Sequence, residues 1–576
     1  MTGAEAIAAL MRRRGIHTVF AYPGTSELAL CDAVADTDGM TLVNSRGDKE
    51  AVFMAGGANR LSPDGTAAIV HGARGLTNAL GAVADVRRSE VPVLCVVGMA
   101  STGSAAFLPP HAEFGLIPAA GAFASAFHDC SGMTEPDARI FLDTVNAAFA
   151  ALDDRPAGPV LLGVPQDVLS ARFVPPAELA AAPARAIRGH VPDLTEASAA
   201  IAQAERPLVL VDDYVFGAGP EVEEALGNFS SCIGAPVLQV AYQRGPMLFQ
   251  QIGPGKVPDH LGTYVPTDHR HRDLLDEADL VITVEDRNMY PRVVGSLGGS
   301  RKIALTSSPA AALKNGYLAS DGLVVAGDVV KTLDALAALQ TPRSPWHRPG
   351  RPTEQPGHGT SHAGRELVRY LSAGLATAVA PVLVDDSQMF GGLIAKNYDL
   401  LPAGTQVHGS HGGFVGSGLA TSIGMAVADE AATVICTLGD QGFTNAVQAL
   451  AVAGDRDVPI LVIVCNNGGS VSLRKQSSSE GLGTATAGFL RNVECLDYAS
   501  TARSFGLEAS TVRWPDRLQS DEPVVEAGQV LKRRIEDALA DRRPHLIELV
   551  TTGAPEFWAG VWNVDGITEM IEKVDR

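Results

Sequence analysis

Short apolar runs alternate with helix-length segments along all 576 residues of the chain, and few fold classes accommodate such a pattern. The runs are rich in Val, Ile and Leu, and they lie at 92–98, 158–165, 207–213, 278–286, 380–386, 432–440 and 458–467. Uninterrupted apolar strands separated by helices are typical of parallel sheets that helices cover on both faces. The sequence therefore predicts an α/β protein built from doubly wound parallel sheets.

Two segments interrupt this alternation and divide the chain. Residues 174–194 are rich in Pro and Ala, and residues 341–363 combine Pro, Gly, His and Arg without hydrophobic periodicity. Such segments are typical of linkers between domains. Because a chain of this length also exceeds the size of one domain, we predict three domains, over residues 1–180, 190–340 and 364–576.

An internal similarity relates the first of these domains to the third. Residues 75–97 and 442–464 align without a gap, and both contain Gly-x-Thr-Asn-Ala, a helical segment, a charged turn and Val-Pro before an apolar strand. Helix–strand units of α/β proteins can resemble each other by chance, but these shared positions at one spacing favour a related first and third domain. The middle domain lacks this unit.

The composition restricts the partners and the location of the protein. The formal net charge of −20 disfavours nucleic acid or an anionic membrane surface as a partner. No run of about 18 apolar residues predicts a membrane span. Thr2 and Glu5 form the pattern of a capping box, which predicts an amphipathic helix ending at Gly15 rather than a signal peptide. The seven cysteines form no Cys-x-x-Cys pair, and we interpret them as reduced core residues of a cytoplasmic protein.

Polar residues stand where two of the apolar runs end. Asp440 lies at the end of one run, with Gly439 and Gly442 nearby, and Asn467 ends the next. Ligands of open parallel sheets collect at the carboxyl ends of strands, so these two side chains face one crevice if their strands are neighbours. Carboxylate, amide and turn carbonyl oxygens suit Mg²⁺ or Ca²⁺ but are too few here, so phosphate oxygens of a ligand would complete the shell. Alternatively, Asp440 only caps the following helix, and the asparagines form a turn.

These features resemble the cofactor-binding motif of the thiamine diphosphate enzymes, usually written GDG followed by NN. Here Gly439-Asp440 is followed by the pair that ends in Asn467. Residues 412–428 are also similar to the Gly-rich helix start that precedes this motif in the decarboxylase and acetohydroxyacid synthase branch. The similarity extends over essentially the whole chain.

The first domain carries the same resemblance independently. Glu50 lies in NSRGDKEAVFMAGGANRL, where the family has a Glu between a strand and an alanine-rich helix, and residues 71–85 resemble the family's SGPGATN loop. Without the resemblance, Glu50 can equally be a surface residue in the first turn of a helix, where the macrodipole favours it. The resemblance implies a pyrimidine-binding, a middle and a diphosphate-binding domain. It also implies a homodimer or homotetramer with active sites between subunits.

The resemblance assigns cofactor roles to particular residues. Asp440, Asn467 and the carbonyl of Gly469 would hold Mg²⁺ on the diphosphate of thiamine diphosphate. Glu50 would form a hydrogen bond with the aminopyrimidine ring, and this role needs a carboxylate shielded from water, because an exposed one is too weak a base. Further cofactor contacts are expected from Gly413, Val415, Ser387, Gln388, Gly439, Gln441 and Gly442.

Three residues depart from the family's pattern. Val415 is smaller than the Met, Leu or Ile that usually supports the folded cofactor, and Gln441 replaces the Gly or Ala that usually follows the Asp. Arg74 replaces the Pro of SGPGATN. We hypothesise that Arg74, with His71, pairs with an anionic group of the substrate, because a guanidinium matches carboxylate, phosphonate or sulfonate geometry. In the alternative interpretation, Arg74 faces solvent or a subunit contact.

Further candidates for the substrate pocket, each also compatible with a structural role, are His111, His408 and His411.

The expected reaction is the decarboxylation of a 2-oxo acid, with carbanion chemistry supplied by thiamine diphosphate. Protonation would then release an aldehyde, whereas attack on a second carbonyl would give a 2-hydroxy ketone. The chain lacks the adjacent His pair typical of simple pyruvate decarboxylases, which favours carboligation of the acetolactate synthase kind. FAD occurs in the middle domain of some relatives, and the sequence decides neither for nor against it.

Two other functional classes stay open. Gln441 is compatible with a homologue that binds the cofactor without turnover, whereas the presence of Glu50 argues against it. The Gly-x-x-Gly-x-Gly run at 413–418 is compatible with a nicotinamide dehydrogenase, which needs a strand directly before these glycines and an acidic residue about 20 residues later. Glu430 is near that spacing, but the preceding GTQVHGSHG (404–412) predicts a poor buried strand.

Overall fold

The computed structural model describes residues 1–62, 65–180, 189–241, 245–318, 320–347, 359–482, 488–515 and 522–562. It contains three parallel sheets of six strands each, and helices connect most consecutive strands. The prediction of an α/β fold with doubly wound parallel sheets is therefore confirmed.

The first sheet has the strand order β2-β1-β3-β4-β6-β5. Its strands are β1 Thr18–Ala21, β2 Thr41–Asn44, β3 Thr66–His71, β4 Val93–Met99, β5 Ala126–Asp129 and β6 Val160–Pro165. The helices of this part are α1 Gly3–Arg13, α2 Leu28–Ala35, α3 Asp48–Leu61, α4 Gly72–Arg88, α5 Leu116–Gly121, α6 Ala138–Ala151, α7 Gln166–Ser170 and α8 Pro176–Ala180. As predicted, Thr2 and Glu5 form a capping box at the start of α1.

The middle sheet has the strand order β12-β11-β10-β7-β8-β9. Its strands are β7 Pro207–Asp212, β8 Val237–Val240, β9 His260–Thr263, β10 Leu280–Val284, β11 Arg301–Thr306 and β12 Leu323–Ala326. Its helices are α9 Thr195–Gln203, α10 Val222–Ile233, α11 His269–Glu277, α12 Pro291–Val294, α13 Pro309–Asn315 and α14 Val329–Ala338. The chain reverses direction across the sheet between β7 and β10, which is the position where such sheets bind ligands.

The third sheet has the strand order β14-β13-β15-β16-β18-β17. Its strands are β13 Pro381–Asp386, β14 Gln406–Gly409, β15 Thr433–Gly439, β16 Ile460–Asn466, β17 Glu508–Arg513 and β18 His545–Val550. Its helices are α15 His362–Leu375, α16 Met389–Lys396, α17 Ser417–Ala428, α18 Asp440–Ala446, α19 Leu450–Asp455, α20 Val471–Ser479, α21 Tyr498–Ser504 and α22 Glu522–Asp541.

The first and third sheets have the same topology. If strands are numbered from the start of each sheet, both follow the order 2-1-3-4-6-5, whereas the middle sheet does not. The two similar segments found in the sequence, 75–97 and 442–464, occupy the same place in both sheets, from the third strand's helix to the fourth strand. The internal similarity therefore coincides with a repeat of the architecture.

A shared apolar core joins the first sheet to the third. The helices α3 and α17 cross so closely that a Cβ on Gly57 would overlap the Thr421 carbonyl oxygen, and one on Gly424 would overlap that of Met54. Glycine permits this close approach because it has no side chain. The crossing fixes Glu50, at the start of α3, relative to the Gly-rich turn before α17.

The structure bears on two further expectations. Residues 404–412 were expected to form a poor buried strand, and Gln406–Gly409 form β14, a short edge strand in which Val407 is the buried residue and only β13 pairs with it. The cysteines are unpaired and Cys95, Cys436 and Cys465 are buried as expected, but Cys495 is exposed rather than part of the core. Within the described ranges, none of the helices is long and apolar enough to cross a membrane.

Candidate active site

The ends of β15 and β16 form the centre of the site. These strands are parallel neighbours, with Gly439 opposite Cys465, so Asp440 and Asn467 lie at the same edge of the sheet, as predicted. The Asp440 carboxylate accepts hydrogen bonds from the backbone N–H groups of Gln441, at 2.8 Å, and Gly469, at 2.9 Å. It therefore joins the two turns that follow these strands.

The oxygen atoms at this edge fit a divalent cation. Asp440 is only 4% exposed, and burial raises the pKa of its carboxyl even though the two backbone N–H groups lower it. The Oδ1 atom of Asn467 is buried without a hydrogen-bond partner among the described residues. A cation would offset the cost of burying both groups, and Mg²⁺ prefers such hard oxygen ligands. In the ranges that the structure describes, no cluster of three or more His, Cys, Asp or Glu offers another metal site.

The β15 turn packs against the turn after β13. A Cβ on Gly439 would lie 3.8 Å from the Cα of Ser387, and one on Gly442 would lie 3.5 Å from the carbonyl oxygen of Asp386. The side-chain amide of Gln441 has no hydrogen-bond partner in the described part of the chain. It is therefore available to a ligand in the crevice.

Ser387 and Gln388 shape the β13 turn. Ser387 donates its hydroxyl to the carboxylate of Asp385, which also accepts from Thr437 Oγ1 at 2.7 Å. Gln388 has a φ of 51° and a ψ of −98°, a strained conformation for a residue with a side chain, and its Oε1 accepts from Ser472 Oγ at 2.7 Å. Strained residues at strand-to-helix turns are concentrated at ligand sites. Gln388 thus connects the β13 turn to the start of α20.

The Gly-rich turn before α17 reaches the same crevice. The carbonyl of Val415 accepts a hydrogen bond from Asn445 Nδ2 at 2.6 Å, and a Cβ on Gly416 would lie 3.0 Å from the carbonyl oxygen of Gly442. The side chain of Val415 is 40% exposed. Gly413 has a φ of 71°, which glycine adopts without strain. This turn therefore lies beside the Asp440 turn, with Val415 open to a ligand or a second subunit.

Glu50 is a buried carboxylate whose oxygen atoms can still accept hydrogen bonds. It is 1% exposed, and neither of its oxygen atoms accepts a hydrogen bond from the described residues. Lys49 Nζ lies 3.3 Å from its Oε1, and both Glu50 and Gln448 of the third domain lie against Gly47. An anionic group held away from water in this way can bind a donor on a ligand strongly.

The structure adds Glu27, which the sequence analysis missed. Glu27 is fully buried, and its Oε2 lies 3.0 Å from the Nδ1 of His71. The backbone N–H of His71 donates to Asp48 at 3.1 Å, and the rings of His71 and His111 lie 5.5 Å apart. A carboxylate at Nδ1 fixes the tautomer of a histidine and leaves Nε2 for a substrate. The signal in the sequence was a Glu in a Pro-Gly turn directly after a strand.

Arg74 is occupied by protein groups. Its Nε donates to the carbonyl of Pro110 at 3.0 Å, and its Nη2 lies 3.0 Å from the carboxylate of Glu113. Both partners belong to the β4–α5 loop, residues 100–115, which also contains His111. In this structure Arg74 therefore binds the loop rather than standing free for an anionic substrate.

The two histidines near β14 are packed within the protein. The Nε2 of His411 lies 2.7 Å from the carboxylate of Asp213, at the position between β7 and β10, and its ring stacks on Phe249 at 4.6 Å. Burial lowers the pKa of His411 to about 3, and it also lowers the pKa of His408 to about 3. Both imidazoles are thus neutral. His411 therefore connects the segment after β14 in the third sheet to the segment after β7 in the middle sheet, and its contacts in the described ranges lie outside the Asp440 crevice.

Comparisons with known proteins match both ends of the chain to one family. A model described as "Thiamine pyrophosphate enzyme, N-terminal TPP binding domain" matches residues 1–129, and its C-terminal counterpart matches residues 390–549. Acetolactate synthase isozyme 1 large subunit of Escherichia coli is 25% identical over 88% of each chain. A probable 2-ketoarginine decarboxylase of Pseudomonas aeruginosa is 25% identical over 92% of each chain.

A solved structure shares the fold over almost the whole length. The thiamine diphosphate-dependent 4-hydroxybenzoylformate decarboxylase of Rhodococcus jostii superposes with a TM-score of 0.76 at 21% identity. The match covers 96% of this chain and 99% of that one. The arrangement of three parallel sheets is therefore that of a known three-domain architecture.

Proposed function

The chain belongs to the thiamine pyrophosphate enzyme family, and on this basis we propose that it decarboxylates a 2-oxo acid with thiamine diphosphate and Mg²⁺ as cofactors. One observation carries the proposal. The buried carboxylate of Asp440 and the buried Oδ1 of Asn467, which has no hydrogen-bond partner among the described residues, follow neighbouring strands in the region that the C-terminal model matches. Glu50, a buried carboxylate to which none of the described residues donates a hydrogen bond, lies in the region that the N-terminal model matches.

The proposed metal site uses groups that the fold already holds in place. Asp440, Asn467 and the carbonyl of Gly469 bind Mg²⁺, and the hydrogen bond from Gly469 N–H to Asp440 fixes the distance between the two turns. Preorganised ligands lower the entropy lost on binding. The turns beside the metal site would hold the diphosphate, through Ser387, Gln388, Gly439, Gln441 and Gly442.

The proposed pyrimidine site combines Glu50 with the Gly-rich turn. Thiamine diphosphate supplies the carbanion chemistry when it is bound. Glu50 would share a proton with the pyrimidine ring, and its burial keeps water from competing for that bond. The carbonyl of Gly413 would accept from the amino group of the ring, and the side chain of Val415 would support the cofactor.

His71 and His111 affect which product we expect, an aldehyde or a 2-hydroxy ketone. The sequence favoured carboligation because it contains no adjacent pair of histidines, but His71 and His111, from distant segments, have ring centres 5.5 Å apart. With the Nδ1–H donated to Glu27, the neutral His71 presents Nε2 as an acceptor that can take up a proton and then return it to the substrate. We therefore infer that the protein releases an aldehyde. Carboligation is the second candidate, and the similarity to acetolactate synthase favours it.

Release of CO₂ tests the proposal. The purified protein, supplied with thiamine diphosphate and Mg²⁺, is expected to release CO₂ from at least one member of a panel of aliphatic, aromatic, acidic and guanidino 2-oxo acids. Mass spectrometry with and without an added aldehyde acceptor distinguishes an aldehyde product from a 2-hydroxy ketone. Cofactor binding without CO₂ release from any 2-oxo acid would instead support a non-catalytic homologue.

We further propose a homodimer or homotetramer whose subunits complete each other's sites. Large apolar side chains are exposed in connections beside the first and the third sheet; Phe107 is 83%, Phe114 73% and Phe489 86% exposed. Such groups on the surface of a single chain mark regions that another protein covers. The mass measured by sedimentation equilibrium is therefore expected to be two or four times that of the chain, and a monomer would contradict this arrangement.

A further inference from the structure

Arg74 and its neighbour Ala73 hold the loop that carries His111. Arg74 donates from Nε to the carbonyl of Pro110, and its Nη2 pairs with Glu113. The backbone N–H of Ala73 donates to the carbonyl of His111 itself at 2.8 Å. The start of α4 therefore binds the β4–α5 loop at three positions, which are Pro110, His111 and Glu113.

The loop has little apolar burial of its own on this side. Phe107 and Phe114 are exposed, and Pro110 and Glu113 are exposed as well. At its other end, Thr102 is fixed by hydrogen bonds from its N–H and hydroxyl to Asp167. Segments with few buried contacts depend on individual hydrogen bonds for their conformation. Within one chain, the position of His111 therefore depends on the contacts with the start of α4, whereas Phe107 and Phe114 are the side chains that the proposed partner subunit would cover.

We propose that Arg74 is a positioning residue, which holds His111 beside the Glu27–His71 pair, with Glu113 as its counterion. This inference deepens the proposed function and rests on it. The guanidinium suits the task because its fork of donors can bind a carbonyl and a carboxylate at once. A lysine has one charged centre at the end of a flexible chain and cannot reproduce both contacts.

The repeated architecture supports this role. In the alignment of the two similar segments, Arg74 corresponds to Gln441, and Asp440 stands directly before Gln441. Asp440, at the start of α18, fixes the turn that follows β16 through Gly469. Arg74, at the start of α4, fixes the loop that follows β4. In both halves, the helix after the third strand anchors the segment after the fourth.

The same contacts argue against Arg74 as a binder of anionic substrates. A substrate carboxylate would have to displace Glu113 from Nη2, and the freed Glu113 would repel it. The two roles therefore make opposite predictions for Glu113. A positioning role predicts that loss of Glu113 weakens the loop's attachment, whereas a binding role predicts that loss of Glu113 improves the binding of an anion.

The inference can be tested by measuring kcat and KM of three variants, Arg74→Ala, Arg74→Lys and Glu113→Gln. With the substrates that the wild type decarboxylates, Arg74→Ala is expected to lower kcat about 10-fold for neutral and anionic side chains alike, because small displacements of a catalytic group cost rate. KM should change little, Arg74→Lys should recover part of kcat, and Glu113→Gln, which keeps the bond to Pro110, should lose less than Arg74→Ala. The inference would be overturned if Arg74→Ala raised KM only for anionic substrates and Glu113→Gln lowered KM for the same substrates.

Hydrogen exchange gives an outcome that does not depend on turnover. In the cofactor-free full-length protein, Arg74→Ala is expected to increase amide exchange in a peptide covering 105–113, while a peptide covering β6 keeps its protection. Unchanged exchange at 105–113 would overturn the positioning role. If the wild type decarboxylates no 2-oxo acid, the proposed function fails, but the exchange experiment still decides whether Arg74 holds the loop.

Discussion

Asp440→Asn is expected to weaken Mg²⁺-dependent binding of thiamine diphosphate by at least about 100-fold, since even the outer partners of metal ligands typically contribute about 10- to 100-fold. The substitution is informative because Asn keeps the shape of Asp and one acceptor oxygen, which can accept from either Gly469 or Gln441. It removes the charge and one of the two accepted hydrogen bonds, because the NH₂ group of Asn is a donor. Titration with thiamine diphosphate at fixed Mg²⁺, followed by calorimetry or intrinsic fluorescence, measures the effect, and the thermal midpoint confirms that the fold persists.

The alternative role of Asp440, as a helix cap alone, gives a different result. The structure has Gly439 as the N-cap of α18 and Asp440 as its first residue. Without a metal, Asp440→Asn would therefore cost only the ~0.3–1 kcal/mol that an acidic side chain contributes at a helix N-terminus, and cofactor affinity would stay unchanged. Asp429→Asn is the matched control, because the Asp429 carboxylate also accepts a backbone N–H, that of Ala431 at 2.9 Å, but lies before β15, at the opposite end of that strand from Asp440. Wild-type cofactor affinity in Asp440→Asn would remove Asp440 from the metal site.

The strand ends that form the site were predictable because their signal is local. Each buried parallel strand is a continuous apolar run, so the position of Asp440 and Asn467 at strand ends follows from a few adjacent residues. That both ends lie side by side follows from the general topology of such sheets. Sequence pattern and structure agree here because residues adjacent in sequence determine where each strand ends.

The rest of the site depends on contacts that no local pattern encodes. Glu27 meets His71 only because β1 and β3 are neighbours, which places residues 44 positions apart in one hydrogen bond. His111 reaches His71 through a loop whose conformation is set by Arg74. The sequence contains no two adjacent histidines, whereas the fold brings His71 and His111 together from two distant segments. Side chains at loop tips are placed by packing, and packing is a property of the whole chain.

Glu50→Gln is expected to lower the rate of CO₂ release by about 10²- to 10⁴-fold, the usual contribution of a general acid or base. Gln has nearly the same shape as Glu but cannot carry the charge or exchange the proton. Cofactor affinity should fall far less than the rate, because the metal site at Asp440 is untouched. Asp48→Asn is the matched control on the same helix turn, since Asn can still accept from the N–H of His71.

Stability separates this role of Glu50 from that of an ordinary residue in a first helical turn. A Glu that only complements the macrodipole contributes about 0.3–1 kcal/mol, so its loss would lower the thermal midpoint and leave the rate unchanged. In this structure, however, both oxygen atoms of Glu50 are buried, and none of the described residues donates a hydrogen bond to them; Lys49, at 3.3 Å, is the one cation that pairs with Glu50 in the described ranges. Neutralising a desolvated charge relieves its cost. The cofactor-free Glu50→Gln protein is therefore expected to be at least as stable as the wild type while being nearly inactive, and a less stable but fully active variant would contradict the assignment.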